Sequence, residues 1–110
     1  MSAGPYASTM AFFRSRKGRG EPDARSATLA YLRGFVQTRP GVEAYVEPAT
    51  HVTQTTVVLV AVSGEWTRRK VPDARAAREI ARELGIPVYD VQLTGYPKRM
   101  REWSARQRVD

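Results

Sequence analysis

The densest run of usable chemistry in this 110-residue chain is Trp66-Thr67-Arg68-Arg69-Lys70, an aromatic residue interleaved with three cations. Arginine and lysine neutralise phosphates, and an indole face stacks on an unpaired base, so the run suits a nucleic acid. The competing expectation is a wet sheet edge, with Trp66 packed on its neighbouring strand and the cations discouraging strand addition. A second basic group, Lys98, Arg99 and Arg101, opens the last segment, and Arg106 and Arg108 continue it. Arg75, Arg78 and Arg82 recur beside Glu79 and Glu83, which reads as a solvated, salt-bridged helix face. The candidate nucleic-acid-binding residues are therefore Trp66, Arg68, Arg69, Lys70, Lys98, Arg99 and Arg101.

Catalytic chemistry is harder to assemble. His51 is the single histidine, in the loop Ala49-Thr50-His51-Val52, and no Gly-x-Ser-x-Gly elbow supplies it with a nucleophile. The chain has no cysteine, which excludes disulfides and thiolate metal sites, and one histidine is too few for a zinc site. Gly18-Arg19-Gly20 lacks the third glycine and the preceding strand of a dinucleotide fingerprint. No catalytic residue, metal or cofactor is expected, and an enzyme with an unrecognised site ranks third among the readings. Tyr89, Asp90 and Tyr96 gather around the Gly95 turn, where they line a small pocket or pack the turn on itself.

The formal charge is +7, with fifteen of the eighteen basic residues arginine. Residues 1–27 carry five basic and two acidic groups, residues 28–63 two of each, and residues 64–110 eleven and seven. Both ends are positive and the middle is neutral. Such a field attracts the phosphates of RNA, DNA or a ribonucleoprotein, or the surface of an acidic protein partner. The longest apolar run, Val57 to Val62, is far too short to span a membrane. Met1 to Thr9 carries no charge and precedes no apolar stretch, so no secretory signal is expected. The missing cysteines fit a cytoplasmic location.

The elements that must position these residues follow from punctuation and periodicity. Residues 1–22 hold Gly4-Pro5, the basic stretch Arg14 to Gly20, and Pro22, and are expected to form a flexible basic tail. Residues 23–110 then make a single domain. A first helix is capped by Asp23 or Ser26, buries Leu29, Leu32, Phe35 and Val36, and stops at Arg39-Pro40-Gly41. Val42, Ala44 and Val46 alternate with Glu43, Tyr45 and Glu47, which predicts a strand with one wet face. Thr53 to Val62 is apolar on both faces along its second half, as in a buried central strand. Ser63-Gly64 signals a two-residue hairpin. Glu65 to Val71 returns, with Trp66, Arg68 and Lys70 on one face and Thr67, Arg69 and Val71 on the other. Asp73 caps a second helix with Ala74, Ala77, Ile80, Ala81 and Leu84 inward, and Gly85 ends it. A strand over Val88 to Leu93 precedes a last helix opened by Pro97, with Met100 and Trp103 on one side. The fold class is α/β (α+β), in the order α-β-β-β-α-β-α, with a small mostly antiparallel sheet covered by helices.

That order is similar to the core of restriction-endonuclease-like nucleases, which implies an acid on the second strand and Glu-x-Lys on the third. Here the second strand has no acid, and Glu65 and Lys70 are five apart, on opposite faces. Nuclease activity is not expected. Over residues 26–84 the order also resembles double-stranded-RNA-binding domains, which implies a basic grip at the start of the second helix. This chain reads Pro72-Asp73-Ala74-Arg75 there. Across residues 10–108 the chain resembles small basic actinobacterial proteins, on the start Met10 to Arg19 and the segments Gly85 to Asp90 and Gly95 to Arg101. Some of those carry an oxidoreductase label, for which no residue here supplies the chemistry.

Overall fold

The computed structural model describes residues 23–108, so the expected tail over 1–22 lies outside the described residues. The Asp23 carboxylate accepts from the Ser26 N–H at 2.6 Å and opens α1, Ala24–Thr38. Three strands follow: β1 Glu43–Glu47, β2 Thr56–Val60 and β3 Trp66–Lys70. Asp73 caps α2, Ala74–Leu84, by accepting from the Ala76 N–H at 2.8 Å. Gly85 ends it at φ 71°, with the Ile86 N–H returning to the Ala81 carbonyl. Then come β4 Val88–Asp90, α3 Val91–Thr94 and α4 Lys98–Arg108.

The sheet runs β3-β2-β1-β4. The β1–β2 and β2–β3 pairs are antiparallel, and β4 lies parallel to β1. A parallel return needs a long crossover, which α2 supplies. The fold is thus α+β with a mixed, mostly antiparallel sheet.

The two faces of the sheet are covered differently. On the first, Ala44, Val46, Val57, Leu59, Ala61 and Val71 lie under Leu32 and Phe35 of α1 and Ala77, Ile80 and Ala81 of α2. Burying a side chain such as Leu32, Leu59 or Ile80 contributes about 1.5–3 kcal/mol. On the second, Tyr45, Val58 and Val60 meet Met100 of α4, with Trp66 packed alongside.

Three expectations change. The side of β1 expected to be wet is covered, because α4 lands on it and leaves Tyr45 only 6% exposed. The β2–β3 hairpin has a three-residue loop rather than two. The Gly64 N–H donates to the Ala61 carbonyl at 2.9 Å and the Ala61 N–H to the Glu65 carbonyl at 2.8 Å, with Gly64 at φ 96° in the position such loops reserve for glycine. The fourth strand ends at Asp90 rather than Leu93. The Asp90 carboxylate accepts from the Gln92 N–H at 2.8 Å, and that cap turns Val91–Thr94 into a single helical turn.

Candidate nucleic-acid interface

The second face is built around two glutamates of β1. Glu43 and Glu47 stand four residues apart, so both point towards α3 and α4. Glu47 accepts a bidentate pair from Arg68, Nε at 2.7 Å and Nη2 at 2.9 Å. It also accepts from the Thr56 and Tyr96 hydroxyls. Burial alone would raise its pKa, but the bonds from Arg68, Thr56 and Tyr96 outweigh that and hold it below the usual carboxylate range. Glu43 is held low chiefly by its bond from Arg99 at 2.8 Å, with the Tyr45 hydroxyl donating at 2.9 Å. Both bonds fall on Oε1, leaving Oε2 without a hydrogen bond among the described residues. Burial, then the bond to Glu43, pushes the Tyr45 phenol up to about 12. At neutral pH the two carboxylates therefore accept hydrogen bonds and hold no proton to give.

The last helix is latched onto this face. Arg99 Nε donates to the Ala61 carbonyl at 2.9 Å, and Arg106 Nη2 to the Ser63 carbonyl at 3.2 Å. The Trp66 indole N–H donates to Ser104 Oγ at 2.9 Å. The hairpin tip meets the helix backbone at Gly64, where an added Cβ would sit 2.1 Å from the Arg99 carbonyl oxygen. Only glycine allows that approach.

Two depressions flank Tyr96. One, of about 250 Å³, is lined by Glu43, Tyr45, Tyr89, Gly95, Tyr96 and Pro97. The Tyr45 and Tyr89 rings stand 5.4 Å apart, tilted by 33°. Gly95, at φ 71°, sets the direction in which Tyr96 leaves the turn. The other, of about 440 Å³, is lined by Glu47, Thr50, Thr56, Arg68, Gln92 and Tyr96, among others. Tyr89 and Tyr96 remain part-exposed, each 38%. Asp90 lines neither, being committed to its cap.

The structure divides the residues singled out from sequence. Trp66 and Arg68 lie on the α4 side, the Arg68 guanidinium 5.0 Å from the centre of the Trp66 ring. Arg69 points to the opposite face, 3.6 Å above the Tyr31 ring, while the Tyr31 hydroxyl shares a hydrogen bond with Thr67. Lys70 is exposed at the end of β3. Arg99 is an internal latch. Lys98 is 80% exposed and 3.8 Å from Glu102, and Arg101 reaches the Tyr96 carbonyl at 3.4 Å. Arg99 and Arg101 thus reach the tyrosine-lined turn through Glu43 and the Tyr96 carbonyl, and Tyr96 is joined through Glu47 to Arg68. Lys98 points to solvent beside Glu102, and Arg69 stands apart.

Sequence reasoning missed Glu43, Glu47, Tyr45 and Thr56. The available signal was the spacing Glu43-x-Tyr45-x-Glu47, which puts two acids and an aromatic on one side of a strand in a chain with surplus arginine.

Among the described residues no three His, Cys, Asp or Glu side chains come together to hold a metal. No described helix is long and apolar enough to cross a membrane. Compared with protein-family models, curated proteins and solved structures, the chain matches none.

Proposed function

We propose that this chain is a non-enzymatic basic binding module for RNA, DNA or a ribonucleoprotein, working in the cytoplasm. The observation that carries the reading is the meeting of outward cations with part-exposed tyrosines at the start of α4. Lys98, Arg101 and Arg108 recur along one side of that helix, and Arg101 and Arg108 make no ion pair among the described residues. Phosphates bind the stripe, and Tyr89 and Tyr96 offer ring surface beside it. The Trp66 indole is engaged by Ser104, so in this reading Trp66 supports the helix and does not stack on a base. Arg69 and Lys70 extend the positive field around the β3 edge.

Fluorescence anisotropy with labelled single-stranded and duplex oligonucleotides across a salt series tests it. Replacing Lys98, Arg101 and Arg108 by Ser should weaken binding far more than replacing Arg33, Arg78 and Arg82. Each lost phosphate contact should flatten the log–log salt slope by about one unit. Equal losses from both sets would reduce the effect to net charge, and no binding near physiological salt would end the reading.

The β3 edge favours a second reading, an adaptor for an acidic protein. Val71 N–H bonds the Thr55 carbonyl and Ala61 N–H the Glu65 carbonyl, so the Trp66, Arg68 and Lys70 backbone groups between them face outward. An acidic extended segment pairs with such an edge. Co-purification separates the two: material absorbing at 260 nm supports nucleic acid, a stoichiometric acidic protein supports the adaptor.

A further inference from the structure

We infer that the depression beside the Gly95 turn is a slot for one unpaired nucleobase bearing an exocyclic amino group. The inference rests on the nucleic-acid reading above and names the part of that ligand which is recognised. Tyr89 and Tyr96, each 38% exposed, supply the aromatic surface, with the buried Tyr45 packed against Tyr89 and Pro97 at one end. A volume of about 250 Å³ lies under the roughly 300–1,000 Å³ of pockets that enclose a whole drug-sized molecule. It suits a single ring presented by something larger.

Glu43 gives the slot its selectivity. Its Oε1 is occupied by Tyr45 and Arg99, while Oε2 accepts no hydrogen bond from any described residue. That oxygen is open to solvent on a side chain 31% exposed, so a ligand N–H can take the place of its water. Cytosine, adenine and guanine offer an exocyclic amino group, whereas uracil and thymine present carbonyl oxygens in its place. Aromatic surface with a carboxylate also fits an organic ammonium ion. The surrounding charge argues against that ligand. Arg99 already neutralises Glu43, Lys98 follows the lining Pro97, Arg101 reaches Tyr96, and the whole chain carries +7. A free cation is repelled there, while a base attached to phosphate is drawn in.

The test is amide NMR of the full chain, titrated separately with cytidine monophosphate, uridine monophosphate, inorganic phosphate and tetramethylammonium. The cytidine nucleotide should shift the Tyr89, Gly95 and Tyr96 amides at least about tenfold more tightly than the uridine nucleotide. Phosphate alone should move only the Lys98 to Arg101 region, and tetramethylammonium nothing. Tyr89→Leu, a change at an exposed ring, should cost about tenfold or more in cytidine nucleotide affinity. Glu43→Gln should erase the cytidine preference, with near-ultraviolet circular dichroism checking that α4 stays seated. Equal response to both nucleotides would overturn the assignment to Glu43, and a stronger response to tetramethylammonium would make the slot a cation site. Oligonucleotide binding without any response in the slot would sink this inference and leave the proposed function standing. Slot occupancy by the cytidine nucleotide without oligonucleotide binding would do the reverse.

Discussion

The sheet separates two interfaces assembled from different forces. Beneath α1 and α2 the contact is aliphatic: Leu32, Val46, Val57, Leu59 and Ile80 are all at most 1% exposed. Beneath α4 the apolar contact shrinks to Tyr45, Val58, Val60 and Met100 with Trp66, and directional bonds from Arg68, Arg99, Trp66 and Tyr96 take over. Burial is strong and indifferent to orientation, so the first face stabilises the domain. Hydrogen-bonded ion pairs add less net stability and fix geometry closely, which is what a recognition surface requires. The interface that holds the molecule together is therefore not the one to which the proposed binding chemistry is assigned.

The contrast breaks most sharply by mutation of the aliphatic face. Leu59→Ala or Ile80→Ala should cost about 2–5 kcal/mol and lower the denaturant midpoint for the whole domain. Loss confined to α4, with the rest intact, would show that the two faces do not differ in this way. Gly64→Ala comes next. Its methyl group collides with the Arg99 backbone, so α4 should lift, shifting the fluorescence of Trp66 and Trp103 while most far-ultraviolet signal survives. A spectrum identical to the parent would place the helix elsewhere.

Arg68→Leu removes two donors from a carboxylate with only 15% of its side chain exposed, and should cost about 1–3 kcal/mol in thermal or denaturant unfolding. The pH dependence refines the comparison further. Glu43 and Glu47 titrate below their ordinary 4.5, so their contribution is complete above that value and is lost as pH falls through the lower folded values. Tyr45 is shifted the other way, from 10.0 up to about 12, so its contribution is complete below 10 and is lost as pH rises through about 12. Tryptophan fluorescence should report α4 loosening in both windows before the α1–α2 face responds. Arg33→Ser and Arg78→Ser should change stability by less than about 0.5 kcal/mol, because both are exposed and form no ion pair among the described residues.

The first face was legible in the chain because its signals are local. Asp23 and Asp73 at the caps, Gly85 after α2, and the apolar spacing of both helices each decide structure within a few residues. The second face was not, because its signals are long-range. Glu43 and Glu47 read as solvent-facing until α4, more than fifty positions later, supplies Arg99 and covers the strand. Strand propensity in Val91 and Leu93 likewise gave way to the cap from Asp90, and Leu93 ends 86% exposed. Of the seven candidate residues, alternation along β3 correctly separated Arg69 from Arg68. It could not say that Arg68 would be engaged across β2 by Glu47, or Arg99 by Glu43 on the same strand.

The hairpin tip that receives α4 also imposes an order in time. The Ala61 and Ser63 carbonyls and the Gly64 gap that seat the helix exist together only after β2 and β3 have paired. We therefore expect α4 to dock late in folding, on the native side of the rate-limiting barrier. Met100→Ala should speed unfolding and leave the refolding rate nearly unchanged, whereas Leu59→Ala, in the central strand, should slow refolding itself. Native-state hydrogen exchange should then find the amides of α4 opening at a lower free energy than those of β2. By this expectation the end of the molecule that carries the proposed binding chemistry assembles last and lets go first.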